Sequence, residues 1–168
     1  MDNFMQLAKE RYSVRKYKDT PIEDDKLDQI IEAGIVAPTA HNEQPWRCYV
    51  LKSPEALKKI NDLTTCAFHA PVVLMFTYNK DEQWKNPLEE GVTAGQEDVS
   101  IVATHMMLEA WELGIGSCWS TISRIRRPKK PSTCRTTNGL CCSCRWATRR
   151  TAFTRHTCTT KTAPATNW

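Results

Sequence analysis

Residues 37–46 read Ala-Pro-Thr-Ala-His-Asn-Glu-Gln-Pro-Trp. Two prolines and a cluster of Thr, His, Asn and Gln can continue neither a helix nor a strand, so the stretch is a loop. An amphipathic run precedes it, and a strand-like run, 47–51, follows. Side-chain amides and hydroxyls at this density are costly to bury without partners. The loop is therefore either a long surface connection or a surface whose polar groups face a ligand.

Outward from the loop, helical and strand patterns alternate. Residues 3–11 carry Phe4, Leu7 and Ala8 at helical spacing. Thr20-Pro21-Ile22-Glu23 has capping-box spacing, with Pro at the first helical position. The helix it opens turns Leu27, Ile30, Ile31 and Ile35 to one face, and Gly34 and Pro38 mark its end. Beyond the loop, Ser53-Pro54 starts a helix with Leu57, Ile60 and Leu63 inward. Residues 72–78 are apolar on both faces, as a central strand of a covered sheet requires. Residues 79–91 are polar and read as a variable loop. From 93 to 113 a long helix carries Val99, Val102, Ala103, Met106, Met107, Ala110 and Leu113 in a wide stripe. That stripe can be a fully buried face, or one shared between a core and a partner subunit. His105 beside it reads as a packing residue, and Gly114 as the C-terminal cap.

A chain of 168 residues fits one domain with a sizeable core. No apolar run is long enough to span a membrane and the N-terminus does not read as a signal peptide, so the expectation is a cytoplasmic protein. No Gly-x-Gly-x-x-Gly loop is present, which argues against a separate dinucleotide fold. The net charge of +4 hides two unlike segments. Residues 1–120 hold 12 Lys/Arg and 19 Asp/Glu, a net of −7, whereas 121–168 hold 11 basic and no acidic residues. The second segment also holds twelve threonines and five of the eight cysteines, so a different kind of sequence starts near residue 120. Cys48, Cys66 and Cys118 sit in apolar or helix-end contexts and read as buried, reduced thiols. Arg11, Ser13, Arg15 and Lys16 form a basic cluster. It is either a solvated turn or a phosphate site in which Arg forks match the phosphate oxygens.

Three stretches together carry a family resemblance. Residues 37–46 resemble the Ala-Pro-Ser-x-x-Asn-x-Gln-Pro-Trp signature of the nitroreductase family. Residues 11–17, Arg-Tyr-Ser-Val-Arg-Lys-Tyr, resemble its Arg-Arg-Ser-x-Arg-x-Phe/Tyr motif. Residues 109–119, Glu-Ala-Trp-Glu-Leu-Gly-Ile-Gly-Ser-Cys-Trp, resemble the end of its long central helix. The match covers residues 1–119 in the family's order and spacing. It implies an α+β fold, a mostly antiparallel central sheet flanked by helices, closed as a homodimer that holds FMN between two chains. Carried over by position, Arg11, Tyr12, Ser13 and Arg15 would contact FMN from one chain. Arg11 and Ser13 would serve the phosphate and ribityl end, and Arg15 the pyrimidine edge. Pro38, Thr39, Ala40 and Asn42 would reach it from the partner, with Thr39 keeping the hydroxyl of the usual Ser. Gln44 and Trp46 would hold the loop, and Trp119 would pass near the flavin. The implied reaction is ping-pong: NAD(P)H reduces the flavin, then a small acceptor such as a nitroaromatic, quinone or enone reoxidises it. The flavin carries the chemistry, so no catalytic acid or base is assigned.

Residues 120–168 depart from the family. A metal knuckle built on Cys134, Cys141, Cys142, Cys144, His156 and Cys158 lacks a pair of Cys-x-x-Cys units, and no metal site is assigned. A nucleic-acid arm has charge in its favour but no aromatic interleaving, so no nucleic-acid partner is assigned. Loss of one base after the Trp119 codon explains more. Each hidden codon then takes its second and third bases from the first two of a written codon. Cys and Trp codons begin with T, so Cys141, Cys142, Cys144 and Trp146 must hide Phe, Leu, Ile, Met or Val. With permissible codons, 131–152 is the shifted image of AFNLPDNERALLLLPMGYAADG, which resembles the family's Leu-Pro, apolar strand and Gly-Tyr. The reading is thus one domain, 1–168, of which 120–168 is frame-shifted. The tail as written offers no apolar run to serve as the last strand, which predicts an incomplete core and a weak hold on flavin. Two rivals remain: an acidic domain with a basic, Cys-rich arm for nucleic acid or zinc, and a flavin-binding protein without turnover.

Overall fold

A computed structural model describes residues 4–120, and the backbone of 138–148. The elements in order are α1 (Phe4–Glu10), α2 (Asp24–Ile35), β1 (Trp46–Leu51), α3 (Pro54–Leu63), β2 (Val72–Asn79), α4 (Gly95–Glu112), β3 (Ile115–Ser120) and β4 (Asn138–Thr148). The strands form one four-stranded sheet in the order β1-β2-β4-β3, antiparallel throughout. This is the expected α+β architecture.

β2 lies inside the sheet because its side chains are apolar on both faces. On one face Val72, Leu74 and Phe76 meet Val99, Val102, Ala103 and Met106 of α4, with Leu27 and Ile30 of α2 behind. On the other, Val73 meets Ile60 of α3 together with Ala67 and Ala70. Each fully buried Leu, Ile, Met or Phe here contributes about 1.5–3 kcal/mol. α2 approaches α4 closely because Gly34 is buried on Met106, where any Cβ would collide with the Met106 side chain. Gly114 takes φ +79° and donates its N–H to the Trp111 carbonyl, which ends α4 as a left-handed cap.

Several expectations are corrected. The Thr20 capping box is not used: α2 starts at Asp24, after an extended Glu23 (φ −60°, ψ 136°) with no side-chain cap. Ile22 explains this, because it is drawn into the core and holds the chain out of the helix until that anchor is passed. On α2 the buried face is Leu27, Ile30 and Gly34, whereas Ile35 is 55% exposed. On α3, Ile60 is buried but Leu63 is 47% exposed. Cys118 is buried as expected, but Cys48 and Cys66 are only half-buried.

The largest correction is β4. Sequence reasoning found no run able to supply the last strand, yet Asn138–Thr148 fills the centre of the sheet, paired with β2 from Val72↔Trp146 and with β3 from Ile115↔Thr148. Two ladders explain it. β2 and β3 each offer a row of backbone N–H and C=O groups, and a segment free of Pro, Asp and Glu can satisfy both. A bulge between Phe76 and Thr77 absorbs one extra residue on the β4 side. The other readings of 120–168, including the metal knuckle, fall largely outside the described residues.

Candidate functional site

The loop after α2 is built by its own side chains. Thr39 Oγ1 accepts the Gln44 N–H at 3.1 Å, and Asn42 Oδ1 accepts from Gln44 Nε2 at 3.2 Å. The Asn42 N–H reaches the Thr39 carbonyl at 3.0 Å and the Glu43 N–H the Ala40 carbonyl at 3.1 Å. Gln44 is thus a brace, as expected, and Trp46 packs against the core from the start of β1. These bonds use acceptors on Thr39 and Asn42, so the Thr39 hydroxyl proton and the Asn42 NH2 remain as donors. His41, Asn42 and Gln44 have φ of 53°, 58° and 47°. Left-handed backbone at three non-Gly residues costs of order 1 kcal/mol each, strain that clusters at ligand sites.

One bond fastens this loop to the helix behind it. The Ala40 N–H donates to Asp98 Oδ1 at 2.7 Å, across 58 residues of sequence. Asp98 is 1% exposed. Burial pushes its carboxyl above the ordinary value, the Ala40 N–H pulls it part of the way back, and Glu97 beside it pushes it up again. Its Oδ2 has no partner among the described residues.

The basic motif sits at the other end of α4. Ser13 bridges Ser117 of β3 in parallel register, and the Val14 N–H donates to the Ser117 carbonyl at 2.9 Å. Tyr12 meets Trp111 edge-on, with ring centroids 5.0 Å apart at 72°. Arg11 and Ser13 are half-buried and Arg15 is exposed, its guanidinium turned back to the Ser13 carbonyl at 3.3 Å. Trp119 lies two residues beyond Ser117, against the main core. Ser117 stands in the 109–119 motif but was given no role in the sequence: its hydroxyl is buried and without a partner among the described residues, directly behind Ser13. Asp98 was missed too, although a carboxylate heading the stripe Asp98, Val102, Met106 was a readable anomaly.

The sequence-predicted residues therefore form two groups within one chain. Asp98 and Trp111 are thirteen residues apart on a helix rising about 1.5 Å per residue, so the groups stand about 20 Å apart. A ligand shorter than that separation cannot touch both from one chain. An open cavity of about 440 Å³ lies beside the loop, lined by His41, Glu43, Glu82, Trp84 and Lys85 among others. Its carboxylates, with Asp81, would repel a phosphate dianion. Burial holds the half-buried Cys48 thiol up at about 12, which makes it inert rather than nucleophilic. No helix among the described residues is long and apolar enough to cross a membrane.

The Nitroreductase family model matches residues 8–69 and 65–139. A protein of Archaeoglobus fulgidus named as an NADH dehydrogenase/NAD(P)H nitroreductase is 31% identical over 121 residues, 71% of this chain and 67% of that one. A relative of the same name from Methanothermobacter thermautotrophicus is 28% identical over 70% of this chain and 60% of its own length. This chain thus spans about two thirds or less of these relatives. A nitroreductase family protein from Clostridium difficile 630 superposes with a TM-score of 0.78 at 32% identity, covering 87% of this chain and 84% of that one. A nitroreductase with bound FMN from Bacteroides fragilis shares the fold, with a TM-score of 0.74 at 19% identity over 99% of this chain and 100% of that one.

Proposed function

The chain belongs to the nitroreductase family, and from that premise we propose that it is an FMN-dependent, NAD(P)H-linked oxidoreductase acting on a small acceptor such as a nitroaromatic, quinone or enone. The observation that carries the reading is the separation of the two residue groups along α4. Each group is half of a flavin site, and a second copy of the chain, turned about a two-fold axis, brings one chain's basic motif to the other's loop. The working unit is then a homodimer. Free thiols at Cys48, Cys66 and Cys118 fit a reducing, cytoplasmic setting.

The residues present fit FMN. Arg11, Ser13 and Arg15 offer two guanidinium forks and a hydroxyl to a phosphate and the flavin's pyrimidine edge. Thr39 and Asn42 offer an O–H and an NH2 from a loop already braced by Gln44. Pro38 and Ala40 add small surfaces that let backbone come close. When bound, FMN supplies the two-electron chemistry between NAD(P)H and acceptor. The chain's own part is to orient the group, exclude water and place positive charge near its pyrimidine edge. Arg15 at that edge stabilises negative charge there, and so makes reduction easier.

The test is the visible spectrum of the purified protein, followed by NADH without oxygen. Flavin bands that bleach are expected. A protein that stays colourless after FMN is added overturns the reading and favours the basic-arm rival, while a yellow protein that NADH does not bleach favours flavin binding without turnover.

We also propose that 120–168 is frame-shifted. In support, β4 falls on Asn138–Thr148, the residues whose shifted image is ERALLLLPMGY. The shifted frame thus reads four consecutive Leu within the strand at the centre of the sheet. Intact mass tests this: the unshifted chain departs from 19.2 kDa, and a mass matching the written chain overturns the shift.

A further inference from the structure

We propose that Asp98 is the positioning residue of the cofactor loop: its buried carboxylate, holding the Ala40 N–H, keeps residues 39–42 in the left-handed turn that meets flavin. The inference rests on the flavin reading above and names what sets the loop's shape. The bonds within 39–44 tie the loop to itself, whereas the Ala40 bond ties it to a rigid helix 58 residues away. At 2.7 Å with an acidic acceptor it is the short, strong kind of hydrogen bond. It grips the residue just before His41 and Asn42, the two consecutive left-handed positions. A turn of that conformation relaxes unless its surroundings over-determine it.

The placement of Asp98 is poor for stability alone. Its carboxylate is 1% exposed, its Oδ2 lacks a partner among the described residues, and Glu97 adds like charge. An apolar residue in its place would avoid the cost of burying a carboxylate but would leave the Ala40 N–H without its acceptor. Helix-dipole complementarity in the first turn is served equally by the exposed Glu97.

The test uses the full chain, its Asp98→Ala and Asp98→Asn variants, site-resolved amide exchange without flavin, and FMN titration by fluorescence quenching. In the wild type the Ala40 amide should exchange at least tenfold more slowly than an unstructured amide; free exchange there overturns the proposal by itself. Asp98→Ala should accelerate Ala40 exchange at least tenfold and weaken FMN binding at least tenfold. Asp98→Asn keeps an acceptor oxygen and should recover most of both, whereas a further variant, Asp98→Leu, which fills a similar volume without an acceptor, should lose both as Asp98→Ala does. Unchanged exchange and affinity in Asp98→Ala, equal losses in Asp98→Ala and Asp98→Asn, or recovery in Asp98→Leu overturn the proposal. If Asp98→Ala does not fold, near-wild-type Ala40 protection and FMN affinity in Asp98→Asn support it, and loss of either overturns it. A wild type that binds no FMN while Ala40 exchange still answers to Asp98 overturns the flavin reading and leaves the clamp standing.

Discussion

The two ends of α4 hold the two halves of the proposed site in different ways. At the C-terminal end the basic motif is fixed by backbone: Ser13 bridges Ser117, and the Val14 N–H reaches the Ser117 carbonyl. At the N-terminal end the loop is fixed by side chains, through Asp98 to Ala40 and Thr39 to Gln44, in a strained conformation. A backbone bridge persists when a side chain changes, whereas a side-chain bond is lost with its residue. The motif end is therefore the rigid reference of the site. The loop end is the adjustable part, where single substitutions alter shape without dismantling the fold.

The strongest challenge to that contrast is at Trp111. It is 4% exposed and supports Tyr12 edge-on, so the motif end depends on packing as well as backbone. Trp111→Ala should cost about 3–5 kcal/mol of folding stability in urea denaturation. A loss under about 1 kcal/mol would mean that the backbone bridge alone holds this end. Next in size is Arg11→Ala. One charge-assisted hydrogen bond is worth about 1.5–3 kcal/mol, so FMN should bind roughly ten- to a hundredfold more weakly, at unchanged urea midpoint. If FMN affinity is untouched, the phosphate lies elsewhere and the contrast loses its functional meaning. Smaller again is Thr39→Val, which removes the hydroxyl that accepts the Gln44 N–H and should cost the loop about 1 kcal/mol. Thr39→Ser keeps the hydroxyl and should bind FMN like the wild type; equal behaviour of Val and Ser would remove Thr39 from the site.

How much of this was legible follows the same division. The motif end and α4 were readable because their signals are local: a 3.6-residue apolar stripe, a glycine cap, a basic cluster. β2 was readable because an interior strand needs apolar residues on both faces. The loop was readable as a loop, and Gln44 as its brace, because both partners of that brace lie within five residues. Asp98 was not, since its partner is 58 residues away and only the fold joins them. Ile35 and Leu63 fit the helical period but lie at the rim of their faces, where tertiary geometry decides burial. The capping box at Thr20 lost to the burial of Ile22, a tertiary effect larger than a cap. β4 was hidden because Asn-Gly-Leu-Cys-Cys-Ser-Cys-Arg-Trp-Ala-Thr has no alternation, and its place comes from the two ladders on either side.

The subtlest expected difference between the two ends is their response to pH. Burial raises the Asp98 carboxyl above its ordinary value of 3.8, more than the Ala40 N–H lowers it. A carboxyl raised by folding favours the folded state only while it is protonated. That contribution is complete below 3.8 and is lost as pH climbs through the raised folded value. Asparagine does not titrate. The stability of Asp98→Asn relative to the wild type should therefore grow from about pH 4 upward and level off once Asp98 is ionised in both states. Ser117→Ala, at the backbone-held end, should show a pH-independent difference, because it removes a hydroxyl and no titrating group. Urea midpoints of the three proteins across that range decide the matter. A relative stability of Asp98→Asn that falls with pH would mean that the carboxylate meets a cation, as from a second copy of the chain. The loop end would then be held by charge pairing, and the rigid end and the adjustable end would exchange roles.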